Sequence, residues 1–275
     1  MNDRKKRTFR ATWCLAVLSL GLTGCYTVPE TGRQSVVAIS PAQETEMGKA
    51  AFAEVQAKEK VSNDRAANER VRRVGERIAS VVGGALPSAQ WEFVVFDAPD
   101  TVNAFALPGG KVGVYTGLLK LAASDDELAI VMGHEIGHVT ARHGGERMTQ
   151  VYGMEVVGAV TGVATQNSQY HDIVLQAFGA GGNMLVMAFS RSQESEADHI
   201  GIRYAAKAGY DPRAAITFWE KMAKQKGGAS TIKWLSTHPP DAQRIADLQR
   251  LMPEVIPLYD AARGAKPTAE RPIGL

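Results

Sequence analysis

Residues 124–140, SDDELAIVMGHEIGHVT, combine a helix start with two histidines four positions apart. Ser124 and Glu127 have the spacing of a capping box, and Asp125 and Asp126 sit where a helix dipole favours negative charge. Leu128, Val131, Met132, Ile136 and Val139 recur at helical spacing, so one helix is expected through the whole stretch. On that helix His134 and His138 project from one face and can share a metal ion. Glu135 lies about 100° further round. A carboxylate there stands beside the ion and can serve as general base and then general acid in a hydrolysis.

A catalytic zinc site takes a third protein ligand, for which carboxylate oxygen is suitable. Residues 194–198 supply candidates: Glu-Ser-Glu-Ala-Asp on an expected helix. Glu194 and Asp198 are four apart and share a face, so one can bind metal while the other orients a ligand imidazole. On chemistry alone Glu196 competes with Glu194.

Working outward, Ser40, Pro41 and Gln43 form a helix-start signature, and a helix is expected through about Lys60. Val71, Val74, Ile78, Val81 and Val82 line one face of a second helix over 64–82, closed by Gly83 and Gly84. Residues 91–96, 102–107 and 111–115 read as short strands. The turn Pro108-Gly109-Gly110 makes them a small meander or hairpin sheet beside the motif helix. Residues 151–188 are rich in Gly, Ala, Val and Met and are expected to form two packed helices, a membrane span being the alternative. Helices are then expected over 192–207 closed by Gly209, over 212–225 behind Asp211 and Pro212, and over about 240–251. The fold class is α+β and mainly helical.

The combined phrases have a family likeness. HExxH at 134–138, Glu194 to Asp198, NAFALPGG at 103–110 and STHPPDAQRI at 236–245 resemble the gluzincin metallopeptidases that include HtpX, the CAAX prenyl endopeptidase and the mitochondrial Oma protease. The likeness covers roughly residues 41–252. It implies a zincin-like domain with one zinc per chain, His134, His138 and Glu194 as ligands, Glu135 as general base and acid, and Asp198 as the group orienting an imidazole. It selects Glu194 over Glu196, because the acid stands four residues before Asp198. His238, in Thr237-His238-Pro239-Pro240, is either an ordinary surface histidine or a group that approaches the zinc, stabilising an oxyanion or blocking the open position. His143, His171 and His199 lack a ligand-like partner and are read as structural or exposed. Asn103, Ala104 and Phe105 lie on a candidate edge strand that either binds substrate by strand addition or simply packs.

The chain's start reads separately. Arg4, Lys5, Lys6, Arg7 and Arg10 precede an apolar run at 13–22 and then Thr23-Gly24-Cys25, the order of a secretory signal peptide over 1–24. Ten apolar residues at about 1.5 Å each cover only half of a bilayer core of roughly 30 Å, so a spanning helix is disfavoured. Leu22-Thr23-Gly24-Cys25 resembles the lipobox of bacterial lipoproteins, which implies lipidation of Cys25. Tyr26 after it points to the outer membrane, facing the periplasm. Residues 25–40 then read as a lipidated tether, 41–252 as the peptidase domain and 253–275, with four prolines, as a loosely attached tail.

Composition narrows the function. The net charge of +2 becomes −2 once residues 1–24 are set aside, so the basic residues belong to the leader and no nucleic-acid face is indicated. The sequence therefore predicts a lipid-anchored zinc endopeptidase that acts on misfolded or misassembled envelope proteins. The rival is a chaperone-like or binding lipoprotein on the same fold with a gated or inactive site. The prenyl and HtpX enzymes have several membrane spans where this chain has an expected lipid anchor, so protein substrates are favoured over prenylated ones.

Overall fold

A computed structural model describes residues 24–150, 188–224, 233–238 and 243–264. The leader and the two helices expected over 151–188 lie outside them, apart from residues 24 and 188. The first element is a hairpin in which β1 (Cys25–Thr27) pairs antiparallel with β2 (Gln34–Val36). Ser35, Val37 and Ile39 are buried and alternate with exposed Gln34, Val36 and Ala38, the period-two pattern of a chain with one face covered. Val28 is fully buried, and the Tyr26 hydroxyl donates to the Thr140 carbonyl at 2.7 Å. The expected tether over 25–40 is thus corrected: it is a hairpin seated on the domain, because its alternation gives it an apolar face to bury.

Helix α1 (Pro41–Lys58) begins with the predicted capping box of Ser40 and Gln43. Helix α2 (Arg65–Val82) is capped by Asp64 and buries Val71, Val74, Ile78 and Val82. Gly83 ends it at φ 56°, a left-handed conformation that glycine adopts without a Cβ clash. Strands β3 (Glu92–Phe96), β4 (Ala104–Leu107) and β5 (Lys111–Tyr115) form one sheet in the order β3-β5-β4. The β4–β5 pair is the predicted antiparallel hairpin, but β3 pairs parallel to β5, so the sheet is mixed and not a meander. Gly113 at the centre of β5 helps explain the arrangement. A Cβ there would lie 2.4 Å from the Phe105 ring and 2.8 Å from that of Phe96, so the bare glycine admits aromatic rings from both neighbours.

Helix α3 (Thr116–Leu121) leads into α4 (Asp125–Thr140), which carries both motif histidines. Ser124 Oγ accepts from the Glu127 amide, while the Glu127 carboxylate accepts from the Ala123 amide, one residue before the predicted partner. Every residue of α4 from Glu127 to Thr140 is buried, as befits a helix enclosed on all sides. Helix α5 (Arg191–Lys207) starts at a Ser190–Gln193 capping box. Then come α6 (Ala214–Lys224), α7 (Lys233–Thr237) and α8 (Arg244–Ala262).

The expectation of a loosely attached tail over 253–275 is corrected for residues 253–262, while 265–275 lie outside the described residues. Helix α8 begins later than predicted and runs through Pro253 and Pro257 to Ala262. Each proline removes one helical hydrogen bond. The helix continues because Leu248, Met252 and Val255 are buried in the main core and Ile256, Leu258 and Tyr259 pack against it. A fully buried aliphatic side chain contributes about 1.5–3 kcal/mol, enough to offset such losses. Among the described residues no helix is long and apolar enough to cross a membrane.

Candidate metal centre

Helices α4 and α5 meet through small residues. A Cβ on Gly133 would lie 2.6 Å from the Gly201 carbonyl oxygen, and one on Gly201 would lie 2.5 Å from the His134 nitrogen. Gly137 faces the Ala197 carbonyl oxygen in the same way, at 2.9 Å. With no side chains between them the two backbones come into contact, and the first turn of α5 brings Glu194 to the two imidazoles of α4.

His134, His138, Glu194 and His238 are all buried, and each offers a donor atom within 4.8 Å of the others. His134 Nε2 lies 3.1 Å from His138 Nε2, and Glu194 lies 3.6 Å from the first and 3.3 Å from the second. Donors placed tetrahedrally about zinc at its usual bond lengths stand roughly 3.3 Å apart. The observed spacings match that edge, and a carboxylate among neutral imidazoles suits the ion. The residues therefore fit zinc. His238 Nδ1 completes the set, 3.2 Å from His134 Nε2 and 2.9 Å from Glu194 Oε1.

Both imidazoles are held from behind. His134 Nδ1 donates to Asp198 Oδ1 at 2.9 Å. Arg244 then clamps both acids, with Nη1 at 3.0 Å from Glu194 and Nη2 at 2.5 Å from Asp198. Its guanidinium lies 3.6 Å over the Trp219 ring, which stacks on Trp234. Burial works against the charge of Asp198, but Arg244 and His134 outweigh it and hold the carboxyl below its usual range. Burial likewise opposes the charge of Glu194, and His138 and His238 overcome it and hold that carboxyl far below normal. His138 is pushed well below the usual imidazole range by burial. Glu135 Oε1 accepts from Trp234 Nε1 at 2.6 Å and lies 3.4 Å from His238 Nε2.

Several residues that the sequence did not single out belong here. Arg244 stands inside the phrase STHPPDAQRI, which was its signal. Trp234 and Phe189 had none, and His143 was read only as structural or exposed. Phe189 stacks on His138 at 3.8 Å between ring centres, and His143 is fully buried with Nδ1 2.8 Å from His138 Nδ1. His143 is thus structural and not exposed. Glu196, two residues from Glu194, faces away to His143 and to Arg33 of the hairpin. His199 pairs with Glu254, and His171 is outside the described residues. Ala104 and Phe105 of β4 are buried, while the Asn103 carbonyl accepts from the Tyr115 amide at 3.0 Å. Among the described residues no strand pairs with the other side of β4.

The sequence pattern of Peptidase family M48 matches residues 65–252. The chain is 34% identical over 187 residues to the mitochondrial metalloendopeptidase OMA1 of Saccharomyces cerevisiae, covering 66% of this chain and 52% of that one. It is 38% identical over 187 residues to the protein of the same name from Arabidopsis thaliana, covering 67% and 37%. With the beta-barrel assembly-enhancing protease of Escherichia coli it shares 29% identity over 238 residues, covering 84% of this chain and 48% of the relative. The matched part spans about half or less of each of these relatives.

Proposed function

The chain belongs to peptidase family M48, and from that premise we propose that it is a zinc metalloendopeptidase of a bacterial cell envelope, hydrolysing misfolded or misassembled envelope proteins. The observation that carries the reading is the convergence of His134, His138 and Glu194 beside a carboxylate, Glu135, that Trp234 fixes in place. Zinc held by those three residues would polarise the scissile carbonyl and make water nucleophilic near neutral pH. Glu135 takes the proton of the attacking water and returns it to the leaving amine. Asp198 keeps His134 in the tautomer whose Nε2 faces the ligand position.

Residues 103–105 receive the substrate at the outer side of β4. Because Ala104 and Phe105 turn into the core, the strand offers main chain, and recognition by backbone pairing tolerates many sequences. That breadth suits unfolded proteins. Cys25 is exposed at the start of β1, so a lipid there would hold the hairpin and the domain close to a membrane surface, with the outer membrane favoured by Tyr26. The Escherichia coli relative, whose name places it in β-barrel assembly, supports an envelope setting.

His238 supports a second reading of the resting state. It stands at the fourth donor position, and an ion held by all four residues would have no open position for water. A binding or chaperone-like protein on this fold would keep that position closed. The test is cleavage of casein and of an unfolded outer-membrane protein by the full chain, with zinc analysis. About one zinc per chain is expected, with cleavage lost in chelator and in Glu135→Gln, and faster in His238→Ala. Zinc without cleavage, in wild type and His238→Ala alike, rejects the peptidase in favour of the binding protein.

A further inference from the structure

The imidazole of His138 is not supported in the way that of His134 is. Among the described residues no carboxylate meets its Nδ1, which faces His143 Nδ1 at 2.8 Å. If His138 Nε2 is turned to a metal, Nδ1 carries the hydrogen and donates, so His143 Nδ1 accepts. The single hydrogen of His143 is then on Nε2, which faces Glu196 Oε2 at 2.9 Å. Glu196 also accepts from Thr31 Oγ1 at 2.5 Å and from Arg33 Nε at 2.6 Å. The other two nitrogens of Arg33 bind Glu146 bidentately at 3.0 Å each, and Glu146 accepts from Gln193 Nε2 at 3.1 Å. Every donor in this chain of bonds meets an acceptor, in one direction only.

The backbone is shaped to allow it. Arg142 has φ 56°, a left-handed conformation that a residue bearing a Cβ adopts only when its surroundings hold it there. It ends α4 and turns the next residue, His143, back under His138. Arg142 is held there by Glu44 at 2.7 Å and by the Ile39 carbonyl at 2.5 Å. Ile39 belongs to the segment that follows the hairpin.

We infer that the β1–β2 hairpin is part of the metal centre: Thr31 and Arg33 are positioning residues that fix Glu196, which fixes His143, which holds His138 in the orientation and tautomer of a metal ligand. The inference rests on the zinc reading above. Both hairpin residues precede residues 65–252, the part that matches the family pattern. A ligand imidazole normally hands its second N–H to a carboxylate or carbonyl directly, and losing that partner weakens metal binding about 10- to 100-fold. Here a second histidine carries the bond outward to the hairpin.

Mere packing of the hairpin is separable from this relay, because Glu30 anchors the same hairpin independently. Its carboxylate meets Arg203 at 3.4 Å and Lys207 at 3.2 Å. The experiment uses the full chain in detergent. Zinc affinity is measured by competition with a chromophoric chelator, and the visible spectrum of the Co(II)-substituted protein is recorded. Arg33→Ala and the isosteric Glu196→Gln should each weaken zinc binding about 10- to 100-fold and shift the Co(II) bands. Arg33→Lys, which retains a donor toward Glu196, should recover part of the loss, and Glu30→Gln should bind as wild type does. Equal losses in Glu30→Gln and Arg33→Ala, or wild-type affinity in both Arg33→Ala and Glu196→Gln, overturn the relay alone. A wild-type chain that binds no zinc overturns the metal reading and the relay with it.

Discussion

The two imidazoles of α4 are supported by arms of different construction. Behind His134 the arm is short and dry: Asp198, then Arg244, whose side chain is only 4% exposed. Behind His138 it is long and reaches the surface: His143, then Glu196, then Arg33, whose side chain is 34% exposed. The first arm lies wholly within the segment shared with the family, and the second leaves it. Burial explains the consequence. In the dry arm no water stands ready to replace a lost partner, so an alteration there costs the fold more. In the wet arm water can replace part of what is removed, so the arm can vary and can respond to what the hairpin touches.

The largest effect should follow from breaking the short arm. Arg244→Ala leaves Glu194 and Asp198 buried without their shared cation, which costs about 3–5 kcal/mol. Denaturant unfolding of the metal-free chain should show a loss of that size, and a loss below about 1 kcal/mol would mean that the two arms are equally wet.

A pH series sharpens the comparison next. Burial raises Glu196, but His143, Thr31 and Arg33 overcome it and hold the carboxyl at about 2 against an ordinary 4.5. Arg33 and Gln193 likewise hold Glu146 below normal despite burial. A depressed carboxyl stabilises the fold above its unfolded value, and that contribution is lost as pH falls through the folded one. His143, lowered chiefly by burial, acts in the same direction below about pH 6.5. Stability of the metal-free chain should therefore fall from pH 6.5 toward pH 2. Glu196→Gln should flatten the part below 4.5, being about 1.5–3 kcal/mol less stable at pH 7 and converging on wild type in acid. Parallel curves for the two proteins would show that Glu196 carries no linked charge.

The smallest effect is expected at the outer end of the long arm. Arg33→Ala should cost roughly 1 kcal/mol of stability, since its pairs are partly solvated. The contrast with Arg244→Ala is the point of the measurement, and equal values would erase the distinction drawn from burial.

Much of this was legible in the sequence where the physics is local. Ser40 with Gln43, Asp64 and Ser124 cap their helices as their spacing predicts, and Pro108-Gly109-Gly110 turns the β4–β5 hairpin. His134 and His138 share a helix face because four residues make about one turn. Position 33 carried no such signal, because its partners are 113 and 163 residues away. The hairpin over 25–36 was hidden by its Pro, Gly and polar content, although residues 33–39 alternate. Pro253 and Pro257 read as breakers, yet the apolar residues between and around them keep α8 on the core.

The sequence by itself determined the two motif histidines, their spacing and the helices that carry them, because capping and helical period act within a few residues, and its family likeness singled out Glu194. Only the tertiary structure decided that Glu196 turns away from the histidines, which arginine stands behind each imidazole, and that His238 closes the set. Those choices depend on how near α4 and α5 can come, and Gly133, Gly137 and Gly201 permit that contact only once the two helices meet.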